Sequence, residues 1–242
     1  MPKHCSIAFQ RGGKVRYNLP ESFGISVISS EVEDGPMNLS NPENIKLFCR
    51  KIAFPTPLSQ AEQIHKNIIA PAKPGATAKG ADGLFAFDIT PLSIRSADCA
   101  PIFLTDPGTG FLCGIHCGRK SLLRGIISKS FKTLLNDNSI RPENIRVFIG
   151  PHIRVNNYSL YGKDIKPIMV SHFVKYVKDY AGNKCFNLTG ALCGELEKIG
   201  IRENNIVDCK INTFTDKRFF SYRRGDSKAP EVFITICRKN VN

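Results

Sequence analysis

The chain has few of the residues that commonly bind copper. Its 242 residues include five histidines and three methionines, Met1, Met37 and Met169, and no tryptophan. A blue-copper centre adds an axial methionine to two histidines and a cysteine, and a multicopper oxidase needs several more histidines than five. The composition therefore argues against copper chemistry.

Long apolar runs are also missing. No stretch of about 18 uninterrupted apolar residues occurs, which argues against a membrane-spanning helix. Residues 1–24 lack the apolar centre and the small-residue cleavage site of a secretory signal. The nine cysteines cannot all pair within one chain, and their spacing is not that of a disulfide framework. Free thiols of this kind are usual in a reducing compartment. We therefore expect a cytoplasmic protein with no membrane partner.

Acidic residues are the scarcer charged class. The chain has 21 of them against 34 lysines and arginines, a net charge of +13. This balance favours phosphate-bearing or otherwise anionic partners. The basic residues are scattered and form no stripe interleaved with aromatic residues, so the sequence predicts no specific nucleic-acid surface.

The apolar pattern predicts a mixture of helices and strands. Helical spacing predicts helices that start at Pro42 and that span 122–135, 168–180 and 191–199. Short apolar runs between turn residues predict strands at 84–87, 92–95, 101–104, 110–117, 145–149, 206–214, 219–223 and 232–238. Residues 70–83, rich in Pro, Gly and Ala, predict a long loop. Helices and strands do not alternate regularly and no boundary is visible, so we expect one α+β domain over residues 1–242.

Two of the five histidines are candidates for chemistry. His4 lies near the N-terminus, and His172 is expected to pack within a predicted helix. His152 follows a turn from which it could approach a site, but a surface position is favoured. His65 and His116 remain. The sequence therefore directs attention to the surroundings of these two residues.

His116 lies near the end of the predicted strand FLCGIHCG. Side chains alternate along a strand, so His116 is expected on the face opposite to Cys113, Ile115 and Cys117. The local Cys-x-x-His pattern is therefore not expected to form one metal site.

Cys99 interrupts an apolar run in IRSADCAPIFL, residues 94–104. Three roles remain open for it: a thiolate metal ligand, a nucleophile activated by a histidine, or ordinary packing. Asp98 beside it could support Cys99 as a metal ligand, act as an acid or base, or serve as a structural cap.

Several segments occur together in the order found in one known family. They are QIH at 63–65, ADG at 81–83, ADCAPIFL at 97–104, GIHCGRKS at 114–121, FIGPHI at 148–153 and RFFSYRRGD at 218–226. In these segments the chain resembles the YfiH family of purine nucleoside phosphorylases, earlier described as laccase-domain or polyphenol oxidase proteins. The resemblance runs from about Gly24 to the C-terminus, which leaves residues 1–23 as a peripheral segment.

The resemblance implies a metal site and a fold. Position by position, the family's zinc ligands fall on His65, Cys99 and His116, which would also be the catalytic residues. Two imidazoles and a thiolate leave a fourth tetrahedral position open, as a catalytic zinc requires. The implied fold is a sandwich of mixed β-sheets with helices outside, in one compact domain, a fold that the cytotoxic necrotizing factor deamidases share.

The resemblance also implies a reaction. Members of the family cleave adenosine, inosine and methylthioadenosine with phosphate as co-substrate, and adenosine deamination is a possible second activity. Asn38, Lys120, Arg223 and Arg224 are the candidates for binding nucleoside or phosphate. Nothing in the sequence indicates an oligomeric state.

One segment departs from the family pattern. Where the family has His-Ala-Gly-Trp-Arg-Gly, residues 116–121 read HCGRKS, so the tryptophan is absent and Lys120 replaces an arginine fork suited to phosphate. Two alternatives therefore stay open. Cys99 and His116 could form a thiol hydrolase or deamidase in which His65 is idle, or the chain could be a non-catalytic, zinc-containing nucleoside-binding protein.

Overall fold

Strands dominate the architecture. The computed structural model describes residues 3–4, 6–10, 14–54, 57–226 and 231–240. In these ranges the strands are β1 Lys3–His4, β2 Ser6–Gln10, β3 Lys14–Asn18, β4 Ile25–Ser30, β5 Ser59–Ala61, β6 Ile69–Pro71, β7 Thr77–Ala78, β8 Gly83–Ala86, β9 Leu92–Ser96, β10 Ala100–Asp106, β11 Phe111–Cys117, β12 Arg146–Ile149, β13 Val177–Tyr180, β14 Asn183–Phe186, β15 Ile206–Asp208 and β16 Phe233–Lys239.

The helices of the described residues are short. The α-helices are α1 Pro42–Lys51, α2 Arg119–Leu123, α3 Lys132–Asp137, α4 Ile165–Met169 and α5 Leu188–Lys198. A π-helical segment spans Ile126–Phe131. Turns of 3-10 helix occur at Glu21–Phe23, Val32–Asp34, Pro142–Asn144, Val155–Asn157, Gly162–Asp164, His172–Tyr176 and Glu203–Asn205. None of the helices in the described ranges has the length and apolar character needed to cross a membrane.

Two seven-stranded mixed sheets and a small β-ribbon contain the described strands. The first sheet has the order β1-β15-β12-β10-β11-β8-β6, and the second has the order β2-β3-β4-β16-β9-β5-β7. The ribbon pairs β13 with β14. In the first sheet, β10 and β11 form an antiparallel hairpin in which Pro101 lies opposite His116.

The two sheets pack face to face, with helices on both outer surfaces. Phe103 and Phe148 of the first sheet share an apolar core with Ile94 and Phe233 of the second. The other face of the first sheet packs on α2, α3, α5 and the π-helical segment. Helix α1 covers the outer face of the second sheet through Phe48. The predicted α+β sandwich is therefore confirmed as a single compact domain.

Alternation in β11 places His116 as expected. Cys113, Ile115 and Cys117 are fully buried in the core between the first sheet and its helices. Leu112, of the same parity as His116, packs in the core between the two sheets. His116 therefore points away from both cysteines of its own strand.

The prediction of a helix over 168–180 is wrong. Helix α4 ends at Met169, and a 3-10 turn follows. Ser171 caps this turn, because its side chain accepts a hydrogen bond from the backbone N–H of Phe173. The chain then extends as β13 and turns back at Ala181 and Gly182, both with positive φ. This tight turn favours a hairpin over a continuous helix.

Two late strands and one loop also differ from prediction. The strand predicted over 206–214 ends at Asp208, whose carboxylate accepts from the N–H of Lys210 at 2.8 Å in a turn with positive φ. Residues 219–223 form turns instead of a strand, because Arg224 donates to the carbonyl of Phe219 and Ser221 donates its N–H to Asp226. The predicted loop at 70–83 contains parts of β6 and all of β7.

Other elements match more closely. Helix α1 starts at Pro42, and β8 to β12, α5 and β16 occupy predicted positions to within a few residues. The helix predicted over 122–135 is divided by Gly125, which has φ +81°. Of the N-terminal segment 1–23, the described residues add strands to the edges of both sheets, and Val15 and Tyr17 are buried in the core between them.

Candidate metal centre

His65, Cys99 and His116 converge where β9 ends, β10 begins and β11 ends. Their ligand atoms all lie within 4.8 Å of one another, and Cys99 Sγ is 3.8 Å from His65 Nε2. His65 lies between β5 of the second sheet and β6 of the first, and Cys99 lies between β9 of the second sheet and β10 of the first. Two of the three residues therefore lie where the chain passes from one sheet to the other.

The buried carboxylate of Asp82 fixes both histidines. Its Oδ1 lies 3.2 Å from His116 Nδ1 and accepts from the backbone N–H of His65 at 2.7 Å. Its Oδ2 accepts from the N–H of Lys66 at 2.6 Å. A carboxylate on Nδ1 leaves the Nε2 lone pair of His116 free to bind a metal. Asp82 lies in the segment ADG, one of those that resemble the family, but no role was predicted for it.

The backbone around the cluster is strained. Gln63, His65 and Asp98 have φ values of 64°, 58° and 89°, in the left-handed region that non-glycine residues rarely adopt. Each such residue costs about 1 kcal/mol or more and persists only where its surroundings impose it. For Gln63 the constraint is its side-chain amide, which donates to the carbonyl of Arg95 and accepts from its N–H.

Asp98 is held by residues far away in the sequence. Its Oδ1 accepts from the hydroxyl of Thr213 at 2.7 Å, and its Oδ2 accepts from the backbone N–H of Arg223 at 2.6 Å. Both carboxylate oxygens are therefore engaged in fixing the turn that presents Cys99. This arrangement favours the supporting role over an acid or base role for Asp98.

Gly118 leaves room for the thiol. A Cβ added at this position would lie 2.5 Å from Cys99 Sγ, closer than real contacts allow. Its φ is −106°, which any residue can adopt. Glycine is therefore required here by the close approach of Cys99 and not by backbone conformation.

The charges of the cluster favour a thiolate at Cys99. Burial alone would raise the pKa of the Cys99 thiol, but His116 and His65 outweigh it and hold the pKa of Cys99 below its ordinary value. Burial alone would lower the pKa of His116, whereas Cys99 and Asp82 raise it. Cys99 therefore favours the thiolate form, which is the form that binds metal ions.

The donor set fits a metal ion of the zinc type. A tetrahedral zinc site with bonds of about 2.0 to 2.3 Å places its ligand atoms about 3.5 Å apart. The 3.8 Å between Cys99 Sγ and His65 Nε2 is close to this spacing. Among the described residues no fourth His, Cys, Asp or Glu joins the cluster. A metal held here would keep one position open to a small molecule.

The cluster opens into a cavity of about 700 Å³. This volume is typical of small-molecule sites. Its lining residues are Asn38, Leu39, Glu62, Gln63, His65, Arg95, Ser96, Ala97, Asp98, Cys99, His116, Arg119, Lys120, Tyr158, Lys163, Asp164, Tyr222, Arg223 and Val232. The cavity therefore combines the candidate metal ligands with five cationic side chains.

The four residues predicted to bind substrate divide into two groups. Asn38, Lys120 and Arg223 line the cavity, and Lys120 is exposed. Arg224 is not among the lining residues. Its guanidinium pairs with Asp226 and donates to the carbonyls of Thr213, Phe214 and Phe219, so it holds the loop together.

Sequence reasoning missed part of the cavity wall. Arg119, buried at the start of α2, forms an ion pair with Asp164 at 2.6 Å. The guanidinium of Arg223 lies over the rings of Tyr158 and Tyr161, 5.4 and 5.3 Å from their centroids. Arg119 stands where the family has tryptophan, and that departure was the available signal.

His152 and His172 both differ from prediction. His152 was expected at the surface but is fully buried, 2.7 Å from Thr189 Oγ1 and 2.8 Å from the carbonyl of Gly150. His172 was expected to pack, but its side chain is 54% exposed and contacts Glu195. Neither joins the metal cluster.

Known proteins resemble this chain in sequence. A purine nucleoside phosphorylase of Campylobacter jejuni is 28% identical over 177 residues, which are 72% of this chain and 74% of the relative. One from Corynebacterium glutamicum is 25% identical over 67% of each chain. A third, from Deinococcus radiodurans, is 29% identical over 60% of this chain and 56% of its own length.

Solved structures have the same fold. The crystal structure of YlmD from Geobacillus stearothermophilus superposes with a TM-score of 0.85 at 20% identity, over 97% of this chain and 99% of that chain. YfiH from Bacillus licheniformis superposes with a TM-score of 0.82 at 18% identity, over 96% of this chain and 98% of that chain. The sequence profile described as "Multi-copper polyphenol oxidoreductase laccase" matches residues 9–237. The chain therefore belongs to the family of this profile, the YfiH family.

Proposed function

We propose that the chain is a zinc-dependent purine nucleoside phosphorylase acting on adenosine, inosine and methylthioadenosine. The observation that carries the proposal is the convergence of His65, Cys99 and His116 on one cavity, with three ligands and no fourth among the described residues. The phosphorylase names of relatives over most of the chain support it. Zinc bound by one thiolate and two imidazoles supplies Lewis-acid chemistry with one position open.

The reaction exchanges one bond at the ribose for another. An oxygen of phosphate forms a bond to C1′ while the bond from C1′ to the purine nitrogen breaks, and the purine leaves with that electron pair. The departing base then takes up a proton from solvent water. Burial raises the pKa of Tyr158 to about 12, so its hydroxyl keeps its proton at neutral pH and can donate a hydrogen bond to the base.

Cationic residues of the cavity attract and orient the anion. Lys120 and Lys163 are exposed and line the cavity, where they raise the local concentration of phosphate. Arg223 is fixed over two tyrosine rings and donates to the carbonyl of Ser159 at 2.8 Å. A fixed guanidinium loses little side-chain freedom when it binds substrate.

Adenosine deamination is a second candidate activity. Zinc deaminases also use three protein ligands and leave the fourth position for water, so the ligand count of the cluster is compatible with that reaction. The two reactions use different co-substrates, phosphate and water. They therefore give different products from the same nucleoside.

Product analysis tests both activities. Purified protein of measured zinc content is incubated with adenosine, with and without inorganic phosphate. Phosphate-dependent formation of adenine and ribose 1-phosphate is expected, and inosine with ammonia would identify deamination. Binding of nucleoside without turnover would support the non-catalytic alternative and contradict the proposal.

A further inference from the structure

Arg95 is a buried cation with no role in the proposed reaction as described above. It lies on β9, four residues before Cys99, lines the cavity and is only 6% exposed. Its Nη1 donates to Gln60 Oε1 at 3.1 Å, and its Nη2 donates to the carbonyls of Ala61 and Glu62 at 2.8 and 3.2 Å. All of these acceptors are uncharged.

Arg95 has no acidic partner in the described part of the chain. No carboxylate there lies within 4.0 Å of its guanidinium, and the carboxylate of Glu62 accepts instead from the N–H of Gly80. Burial lowers the pKa of Arg95 to about 10, and no acid opposes this effect. The side chain still carries its charge at neutral pH. A buried charge without a counter-charge is costly, which points to an anion supplied from outside.

The other cations of the cavity differ from Arg95. Arg119 is equally buried, but Asp164 neutralises it at 2.6 Å. Lys120 and Lys163 are exposed, and Arg223 is half-buried, so water can solvate their charges. Arg95 is therefore the one cavity cation of the described chain that is both buried and without a carboxylate partner.

The guanidinium is held in place with donors to spare. Within the described residues, Nε–H and the second hydrogen of Nη1 have no acceptor. The backbone of Arg95 is clamped by the amide of Gln63, at 2.6 and 2.9 Å, two residues before His65. An anion bound to Arg95 would thus be linked to the position of His65 through the side chain of Gln63.

We propose that Arg95 forms the anion subsite of the cavity and binds inorganic phosphate beside the nucleoside. The inference rests on the proposed phosphorylase function, for which phosphate is the co-substrate. The same chemistry would recognise the phosphate ester of a nucleoside 5′-monophosphate. The test therefore measures both ligands.

The test uses Arg95→Gln and Arg95→Lys, with Arg146→Gln as a control that removes the same charge outside the cavity. Binding of inorganic phosphate to zinc-containing protein is followed by calorimetry. Arg95→Gln should weaken binding at least about 10-fold, the value of a charge-assisted hydrogen bond, while Arg95→Lys weakens it less. Arg146→Gln should bind as wild type does.

Thermal unfolding separates binding from a structural role. Arg95→Gln loses hydrogen bonds to two carbonyls and lowers Tm without phosphate, so the readout is the rise in Tm that phosphate adds. That rise should be clearly smaller in Arg95→Gln and of wild-type size in Arg146→Gln. A rise of wild-type size in Arg95→Gln would overturn the inference.

Two further outcomes are decisive. If wild type binds adenosine 5′-monophosphate through Arg95 but does not bind inorganic phosphate, the subsite serves an ester and the inference is wrong. If wild type binds phosphate through Arg95 but cleaves no nucleoside, the proposed function fails and the anion subsite stands. If Arg95→Gln cleaves nucleoside with an unchanged KM for phosphate, the proposed function stands and the anion subsite at Arg95 is wrong.

Discussion

His116 Nδ1 lies 3.2 Å from Asp82 Oδ1, and both side chains are buried. The same carboxylate receives the backbone N–H groups of His65 and Lys66. One side chain thus sets the ring orientation of one histidine and the backbone path of the other. The cluster depends on Asp82 although Asp82 is not among its three ligands.

Replacement of Asp82 should weaken metal binding without removing a ligand. In Asp82→Asn the amide nitrogen cannot accept from a backbone N–H, and the negative charge beside His116 is lost. We expect metal affinity to fall about 10- to 100-fold, measured by competition with a chromophoric chelator. Asp88→Asn, in an exposed turn, is the control and should keep wild-type affinity. Unchanged affinity in Asp82→Asn would contradict the arrangement.

The two candidate histidine ligands should behave alike. His65→Ala and His116→Ala should each abolish stoichiometric zinc binding and lower kcat by more than the roughly 100-fold expected for a supporting residue. Chelation should abolish activity, and added zinc should restore it. His172→Ala, far from the cluster in sequence and exposed, should retain its zinc.

The thiol-hydrolase alternative makes the opposite prediction. Cys99 would then need only His116, so His65→Ala would stay active and chelation would have no effect. Alkylation of Cys99 would inactivate protein that contains no metal. Parallel measurement of zinc content and turnover in both histidine variants decides between the two.

Gly118→Ala should disturb the metal centre specifically. The new methyl group would lie 2.5 Å from Cys99 Sγ and would force the thiol away from the two histidines. We expect a loss of metal affinity together with about 1 to 3 kcal/mol of stability, as for other overpacked sites. The control is Gly108→Ala, where the nearest atom lies at 3.3 Å. Equal effects of the two substitutions would show that the contact is unimportant.

His152 should make the protein sensitive to mild acid. Burial and the neighbouring Arg154 lower its pKa to about 4 from an ordinary value of 6.5, while Asp208 acts in the opposite direction. The unfolded chain therefore binds the proton first. The contribution of neutral His152 to the free energy of unfolding is fully present above about pH 6.5. It is lost as the pH drops towards 4, and the loss is on the order of 3 kcal/mol in total.

Urea unfolding from about pH 7.5 to about pH 4.5 measures this effect. His152→Gln loses hydrogen bonds to Thr189 and Gly150, so it should be less stable than wild type at neutral pH. Its stability should change less with pH over that window. A wild-type pH slope in the variant would show that His152 is not responsible.

The centre of the sandwich could be predicted because local pattern and tertiary environment agree there. In β11, alternation alone separated His116 from Cys113 and Cys117, and the structure confirms it. The apolar runs at 101–104 and 110–117 predicted two strands, and the corresponding β10 and β11 are both buried along their whole length. Strand periodicity is reliable where each face has one defined environment.

The rest depended on contacts that no local pattern encodes. Asp98 is bound by Thr213, 115 residues later, and the turns at 219–223 are closed by the side chains of Arg224 and Asp226. Arg119 and Arg95 are both buried, but Arg119 pairs with Asp164 whereas Arg95 contacts only uncharged acceptors. This difference depends on tertiary contacts that the sequence does not show. His65 was one of two candidate histidines, but only the family resemblance joined it to Cys99, which lies 34 positions later.

His65 and Cys99 each lie on a segment that leaves the second sheet and enters the first. An ion held by both closes a ring through the two layers, and neither layer alone can supply the ligand set. We expect the ion to be captured only after the layers have docked, because two of its ligands lie on segments that connect the two layers. Bound metal would in turn hold the layers together by mass action. The metal content of a preparation would then report the fraction of chains that have completed their fold.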